Sequence, residues 1–243
     1  METKRYGFTI IGVMMFLAIS SLLLIGVFAM SGSLIQGTRF TDSIRGLQSY
    51  LQRQYGETSS GVNTRTAANG CVAGVTSPGT GNCLLLGKVI VFTVNSSTVD
   101  TYTVIGTEPV TSLINATLEA LLLSYAPKTV ASSQDSYTIP WDAKFRAGKR
   151  TGTTPLAVNV VAILRSPASS QIGVYHFSKP IPSASSVSLT GADITAAASD
   201  ATASYCVDGQ DAGSHQAAII FGRAQGSTAI DAMFDLPAIG APC

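Results

Sequence analysis

A long apolar stretch near the N-terminus constrains this chain more than any other feature. No charged residue occurs from Phe8 to Met30, and most residues between them are hydrophobic. As a helix rising about 1.5 Å per residue, this stretch would be roughly 35 Å long, enough to cross a hydrocarbon core of roughly 30 Å. Lys4 and Arg5 precede it, so the positive-inside rule predicts a single pass through the cytoplasmic membrane with the N-terminus inside.

Three interpretations of the stretch are open. A cleaved secretory signal has an apolar core of about 7–15 residues followed by a small-residue cleavage site, and Ala29-Met30-Ser31 offers such a site after a longer core. A plain signal anchor accounts for the length. The third interpretation rests on the start of the run, which comes directly after a glycine in the sequence Gly7-Phe8-Thr9-Ile10-Ile11.

This junction of basic leader, glycine and phenylalanine resembles the prepilin motif of type IV pilins and type II secretion pseudopilins. The resemblance implies that a prepilin peptidase cuts after Gly7 and methylates the new N-terminal residue, Phe8. It implies other pilin-like subunits and an inner-membrane assembly platform as partners, and an extracellular filament as the final location. The family usually has Glu at the fifth residue after the cut, where this chain has Gly12. That departure favours a minor pilin or a pseudopilin.

The segment after the apolar stretch has the periodicity of an amphipathic helix. The apolar residues of its one face are Phe40, Ile44, Leu47, Leu51 and Tyr55. Because no proline occurs before Pro78, nothing in the sequence breaks the helix between membrane and head. We therefore expect a leader at 1–7, a transmembrane and amphipathic helix at 8–57, and an extracytoplasmic β-rich head at 58–243.

Within the head, short Val/Ile-rich runs between turn residues predict strands. These runs are Leu84–Val94, Val99–Ile105, Ala157–Arg165, Gln171–Phe177 and Ala217–Gly222. Thr111–Tyr125 predicts a helix packed on the sheet, and the Ser/Thr/Pro/Gly-rich segments 126–155 and 179–210 are expected to be loops. The expected fold class is α+β, with the long N-terminal helix packed on a small antiparallel sheet, as the pilin resemblance also implies.

The cysteines predict disulfides rather than a metal site. Cys71, Cys83, Cys206 and Cys243 include no C-x-x-C pair and lie far in sequence from both histidines. Outside the reducing cytoplasm, four cysteines allow three pairings. The local pairing, Cys71 with Cys83 and Cys206 with Cys243, is favoured because each bond closes a loop at one end of the head. In the pilin family a similar disulfide pins the C-terminal loop, and the first loop resembles that of GspH-like pseudopilins.

No pattern in the sequence predicts an enzyme or a cofactor. The usual motifs of hydrolases, zinc proteases and nucleotide-binding folds are absent. The net charge is only +1 and the basic residues are scattered, so no nucleic-acid partner is predicted. Asp208 and Asp211 are weak calcium candidates in a turn-like segment, because Ca²⁺ usually takes about 6–8 oxygen ligands.

Three further side chains are singled out by their sequence context. His176 lies in a predicted strand, which favours a sheet histidine over a general base, and His215 is expected to be solvent-exposed. Trp141, with Asp142, Lys144, Phe145 and Arg146, forms an exposed contact patch, or Trp141 alone lies half-buried under a loop. The expected function is a structural filament subunit; the alternative is a signal-anchored extracytoplasmic adhesin or binding domain.

Overall fold

The N-terminal helix is one continuous element that contains both halves of the sequence pattern. The structure, a computed structural model, describes residues 10–61, 83–109, 116–150, 156–195, 202–209, 215–221 and 230–234. Helix α1 covers Ile10–Ser60 and thus extends slightly beyond the predicted end at residue 57. Its first half is apolar and exposed, whereas its second half packs into the head.

The head is built from two antiparallel sheets and a short second helix, so the fold class is α+β. The strands are β1 (Cys83–Phe92), β2 (Thr98–Thr107), β3 (Lys128–Thr129), β4 (Asp135–Thr138), β5 (Ala143–Arg150), β6 (Leu156–Ala157), β7 (Val160–Arg165), β8 (Ile172–Phe177), β9 (Ala203–Gly209), β10 (Gln216–Phe221) and β11 (Ile230–Phe234). Sheet A has the order β3-β2-β1-β7-β8, with β4 also paired to β2, and sheet B has the order β11-β10-β9-β5-β6. A short 3-10 turn, Ala131–Ser133, precedes β4.

The main hydrophobic core lies where α1 meets the facing sides of both sheets. The predicted helix stripe supplies buried side chains to it, namely Phe40, Ile44, Leu47, Leu51 and Tyr55, together with Tyr50. Phe92 of sheet A stacks on Tyr205 of sheet B with ring centroids 4.5 Å apart, so the two sheets also pack directly on each other. The amphipathic half of α1 is therefore a structural part of the head and does not merely lie on its surface.

A second core covers the opposite face of sheet A. Helix α2 (Leu118–Ser124) begins with Thr117, whose hydroxyl accepts a hydrogen bond from the Ala120 amide as an N-cap. It packs with the segment 179–195 against Tyr175 and Phe177 of β8. Strands β1, β7 and β8 of sheet A are thus covered on both faces, which explains why they are largely apolar runs in the sequence.

A glycine makes the irregularity in β1 possible. The register with β2 shifts between Leu85 and Gly87, which forms a β-bulge. Gly87 has a φ of +153°, and a Cβ there would collide with the carbonyl oxygen of Ile163 on the neighbouring strand β7. Beyond the bulge, Lys88 faces α1 and Val89 faces the second core.

All five predicted strands are present within a few residues of their expected bounds, and α2 lies inside the predicted helix Thr111–Tyr125. Two predictions are wrong. The expected loop 126–155 contains β3, β4 and β5, and the expected loop 179–210 ends in β9. These strands enlarge the predicted small sheet to two sheets, because β5 and β9 pair at the centre of sheet B.

Candidate functional site

The first half of α1 is an apolar helix that no described part of the chain covers over Ile10–Phe28. The segment Ile10–Phe28 is long and apolar enough to cross a membrane, and none of it is buried among the described residues. Its large side chains are exposed, as for Ile10 at 78% and Leu22 at 75%. The hydroxyl of Ser21 donates to the Leu17 carbonyl at 2.7 Å, so it needs no water partner. A helix of this kind requires lipid or other helices around it.

Polar contacts with both sheets fix the second half of α1, both along its helix axis and in rotation about that axis. The ammonium of Lys88, on β1, donates to Gln54 at 2.5 Å and also forms an ion pair with Glu57. From the other side, Gln48 donates to the Ile230 carbonyl of β11 at 3.1 Å. These bonds hold α1 against both sheets. They therefore fix the direction in which the apolar half of α1 extends from the head.

The end of the head that faces the apolar helix contains Arg39, Trp141 and His215. Arg39 is the first charged residue after the apolar stretch. Its guanidinium carbon lies 4.7 Å from the centre of the Trp141 ring, a cation–π contact. The His215 ring stacks on Phe40 at 6.0 Å. His215 is half-buried there, so the expectation that it is solvent-exposed is wrong.

The structure separates the residues of the predicted tryptophan patch. Trp141 is 56% exposed, whereas Phe145 is buried in the main core against Phe92 and Tyr205. Arg146 forms an ion pair with Asp208 at 3.3 Å. The contact that Trp141 does make, with Arg39, was missed because the two residues are far apart in sequence. The only sequence signal for this contact was the position of Arg39 as the first charged residue after the apolar stretch.

Most of the predicted processing and disulfide sites lie outside the described residues. Gly7, Phe8, Cys71 and Cys243 are among them, so both proposed disulfide pairings are undescribed. Cys83 begins β1, and Cys206 is a buried, disulfide-bonded residue of β9.

The structure describes one of the two calcium candidates, Asp208. Asp208 lies in strand β9 rather than in the expected turn-like segment, and its carboxylate forms an ion pair with Arg146. Asp211 lies outside the described residues. Across the described part of the chain, no group of three or more His, Cys, Asp or Glu side chains is placed to bind a metal.

His176 is a core residue that links the sheets. It lies on β8, is 1% exposed, and its Nδ1 is 3.2 Å from the hydroxyl oxygen of Tyr205. Burial, reinforced by the nearby Arg150 guanidinium, lowers the pKa of His176 to about 3. The imidazole is therefore neutral at physiological pH and enclosed by protein, which matches the sheet-histidine interpretation.

Two open grooves are present on the described surface of the head. The first, about 320 Å³, lies between α1 and β4 and is lined by Tyr50, Arg53, Asp135 and Tyr137, among others. Tyr50 and Tyr137 stack there at 4.6 Å, and the Arg53 guanidinium lies over Tyr50. The second, about 380 Å³, surrounds the Arg146–Asp208 pair and Cys206.

Comparison with known proteins yields no relatives: no family model, no curated protein and no solved structure matches this chain.

Proposed function

We propose that this chain is a structural subunit of a filament of the type IV pilus or type II secretion kind, anchored in the cytoplasmic membrane by α1 until it assembles. One observation carries the proposal. A single uninterrupted helix is an exposed apolar rod over Ile10–Phe28 and a core element of a β-rich head over its second half. The role is structural rather than catalytic, and it includes other pilin-like subunits as partners.

The exposed half of α1 explains how such a subunit would exist in two places. In the membrane its apolar surface is covered by lipid, and in a filament it would be covered by the same helix of neighbouring subunits. Small residues allow helices to approach closely in an apolar environment. This helix has them at Gly12, Ala18, Ser20, Ser21 and Gly26.

Gly12 favours a minor or tip subunit within this class. The family's buried carboxylate at that position pairs with the free amine of a neighbour, and an ion pair in an apolar interior needs both partners. A chain with Gly12 brings no charge into the filament core at this point. Such a subunit suits a position where few neighbours surround its N-terminus.

The direct test is the intact mass of the chain after co-expression with a prepilin peptidase. The proposal expects a mature product that begins at Phe8, with a mass increase for one methyl group. Gly7→Val should leave the leader in place, whereas Gly12→Ala, beyond the junction, should be processed as usual. An uncut chain, a cut near Ser31, or normal maturation of Gly7→Val would each contradict the proposal.

The second candidate is a signal-anchored extracytoplasmic adhesin or binding domain. The groove between α1 and β4 favours it, because stacked aromatic rings beside a guanidinium and a carboxylate offer both apolar and charged contacts. An uncut N-terminus combined with correct membrane insertion would move the function to this candidate.

A further inference from the structure

Trp141 is an exposed aromatic side chain at the point where the head meets the apolar helix. It is the only tryptophan of the chain, and it lies in the turn between β4 and β5, with 56% of its surface exposed. Tryptophan is enriched at membrane–water interfaces, where its ring contacts the apolar region and its N–H remains hydrated. Whether the exposed Trp141 ring can contact lipid therefore depends on its position relative to the membrane surface.

With α1 anchored as proposed above, the length of the uncharged stretch brings Trp141 to the outer membrane surface. The sequence has no charge from Phe8 to Thr38, and as a helix with a rise of about 1.5 Å per residue this stretch measures roughly 46 Å. A bilayer with its headgroup regions is roughly 40–45 Å thick. When the uncharged stretch begins at the inner membrane surface, Arg39, which follows it, lies among the outer headgroups. Helical side chains lean toward the helix N-terminus, which for Arg39 is the membrane side.

The backbone at Trp141 is held in an unfavourable conformation. Trp141 and Asp142 have φ values of +59° and +56°, in the left-handed region. Aspartate tolerates this region, but bulky residues rarely adopt it, and a tryptophan there costs about 1–3 kcal/mol. Glycine or asparagine would suit the turn better. A tryptophan kept on the surface at such a cost points to a contact that the described part of the chain does not supply.

We propose that Trp141 and Arg39 form a contact with phospholipid headgroups that seats the head directly on the outer surface of the cytoplasmic membrane. The Trp141 ring lies at the headgroup level, and Arg39 binds lipid phosphate with its guanidinium while its plane covers the ring. The contact rests on the anchoring half of the proposed function. The contact fixes the distance of the head from the membrane surface and its orientation before assembly. The apolar anchor alone fixes neither.

The test uses the fluorescence of Trp141, which reports one side chain because the chain has no other tryptophan. The full-length chain is reconstituted into vesicles of phosphatidylcholine and phosphatidylglycerol, with a spin label either on the headgroup or deep in the acyl chains. We expect the headgroup label to cause the larger loss of Trp141 fluorescence. Arg39→Gln should weaken this loss, whereas Arg45→Gln, an exposed arginine further along α1, should leave it unchanged.

A second variant separates failure of the contact from failure of the anchor. Phe16→Trp combined with Trp141→Phe places the only tryptophan inside the apolar segment, where the acyl-chain label should quench it. If this variant is quenched but Trp141 is not quenched by the headgroup label, the anchor stands and the contact is wrong. If neither is quenched, both are wrong. Shielding of Trp141 from lipid label and aqueous acrylamide alike would identify another protein copy as its cover and overturn the lipid contact.

Discussion

The Nδ1 atom of His176 lies 3.2 Å from the hydroxyl oxygen of Tyr205, and this hydrogen bond joins sheet A to sheet B inside the main core. The Tyr205 hydroxyl donates its own hydrogen to the Val160 carbonyl at 3.1 Å. Since that hydrogen is already used, His176 acts as the donor and carries its hydrogen on Nδ1. The neutral imidazole is therefore a fixed element of the packing.

This arrangement predicts a loss of stability in mild acid. In the unfolded chain the pKa of histidine is about 6.5, whereas in the fold the pKa of His176 is about 3. Below pH 6.5 the unfolded chain takes up a proton that the folded chain refuses. The free energy of unfolding should thus fall between about pH 6.5 and pH 3, by up to about 1.4 kcal/mol per pH unit.

The measurement is the denaturant midpoint of the detergent-solubilised chain at several pH values, followed by near-ultraviolet circular dichroism. His176→Phe keeps a ring of similar size between Tyr205 and Phe221 and removes the titrating group. The denaturant midpoint of the His176→Phe variant should change clearly less with pH than that of the unmodified chain, whatever the absolute stability of the variant. Equal slopes would show that His176 does not control the acid response.

Two buried tyrosines should respond in opposite ways to removal of the hydroxyl group. Tyr175 and Tyr205 are both fully buried, but the Tyr175 hydroxyl has no hydrogen-bond partner among the described residues. An unsatisfied buried polar group costs about 1–3 kcal/mol. Tyr175→Phe should therefore leave the free energy of unfolding unchanged or raise it, while Tyr205→Phe should lower it by about 1–3 kcal/mol. Chemical denaturation of the pair measures the contrast, and a larger loss for Tyr175→Phe would refute it.

Two glycines likewise form a matched pair. Gly87→Ala should destabilise the head by more than about 1–3 kcal/mol, the cost of an unfavourable backbone region alone, because the new Cβ also collides with the Ile163 carbonyl. Gly56 lies in α1, and apart from the neighbouring backbone of its own helix no described atom lies within 4 Å of the position of its missing Cβ. Gly56→Ala should stabilise the chain by about 0.5–1 kcal/mol through helix propensity. Thermal midpoints of the two variants should move in opposite directions.

Asp193 should hold the segment 179–195 against sheet A. Burial alone would raise the pKa of Asp193, but hydrogen bonds from Lys179 at 2.6 Å and from the amide and hydroxyl of Thr190 outweigh it and lower the pKa. Its stabilising contribution is present at neutral pH and is lost only as the pH falls below about 3.9, the usual value for aspartate.

Asp193→Asn should cost about 1–2 kcal/mol and raise amide hydrogen exchange within 179–195 at neutral pH. Asp135→Asn, at an exposed carboxylate, is the control and should leave the exchange of this segment unchanged. Equal exchange in both variants would mean that the apolar residues Ile181, Leu189 and Ile194 hold the segment without help from the ion pair.

The elements predicted correctly from the sequence are those with a clear pattern of apolar residues, either periodic or continuous. The strands β1, β7 and β8 are largely apolar runs because they are covered on both faces. Strand β5 was missed because its outward positions carry Lys144, Arg146 and Lys149, and a bulge after Phe145 breaks the alternation. Strand β9 was missed because it follows a Ser/Ala-rich segment and contributes the small residue Ala203 to the core.

The candidate site was predictable only in its local part. The apolar helix and its amphipathic continuation follow directly from residue spacing, and both are present in α1. The approach of Trp141 to Arg39 and of His215 to Phe40 depends on strand pairings between distant segments, for which the sequence contains no local signal.

The continuity of α1 determines how the head would respond to a pulling force. The helix leaves the head without an intervening linker, and its buried stripe from Phe40 to Tyr55 runs along the direction of exit. A tension applied through the apolar half would load all of these side chains in shear at once, instead of peeling them away one after another. The head should therefore resist mechanical extraction of its helix as a single unit, and rupture would occur in one step.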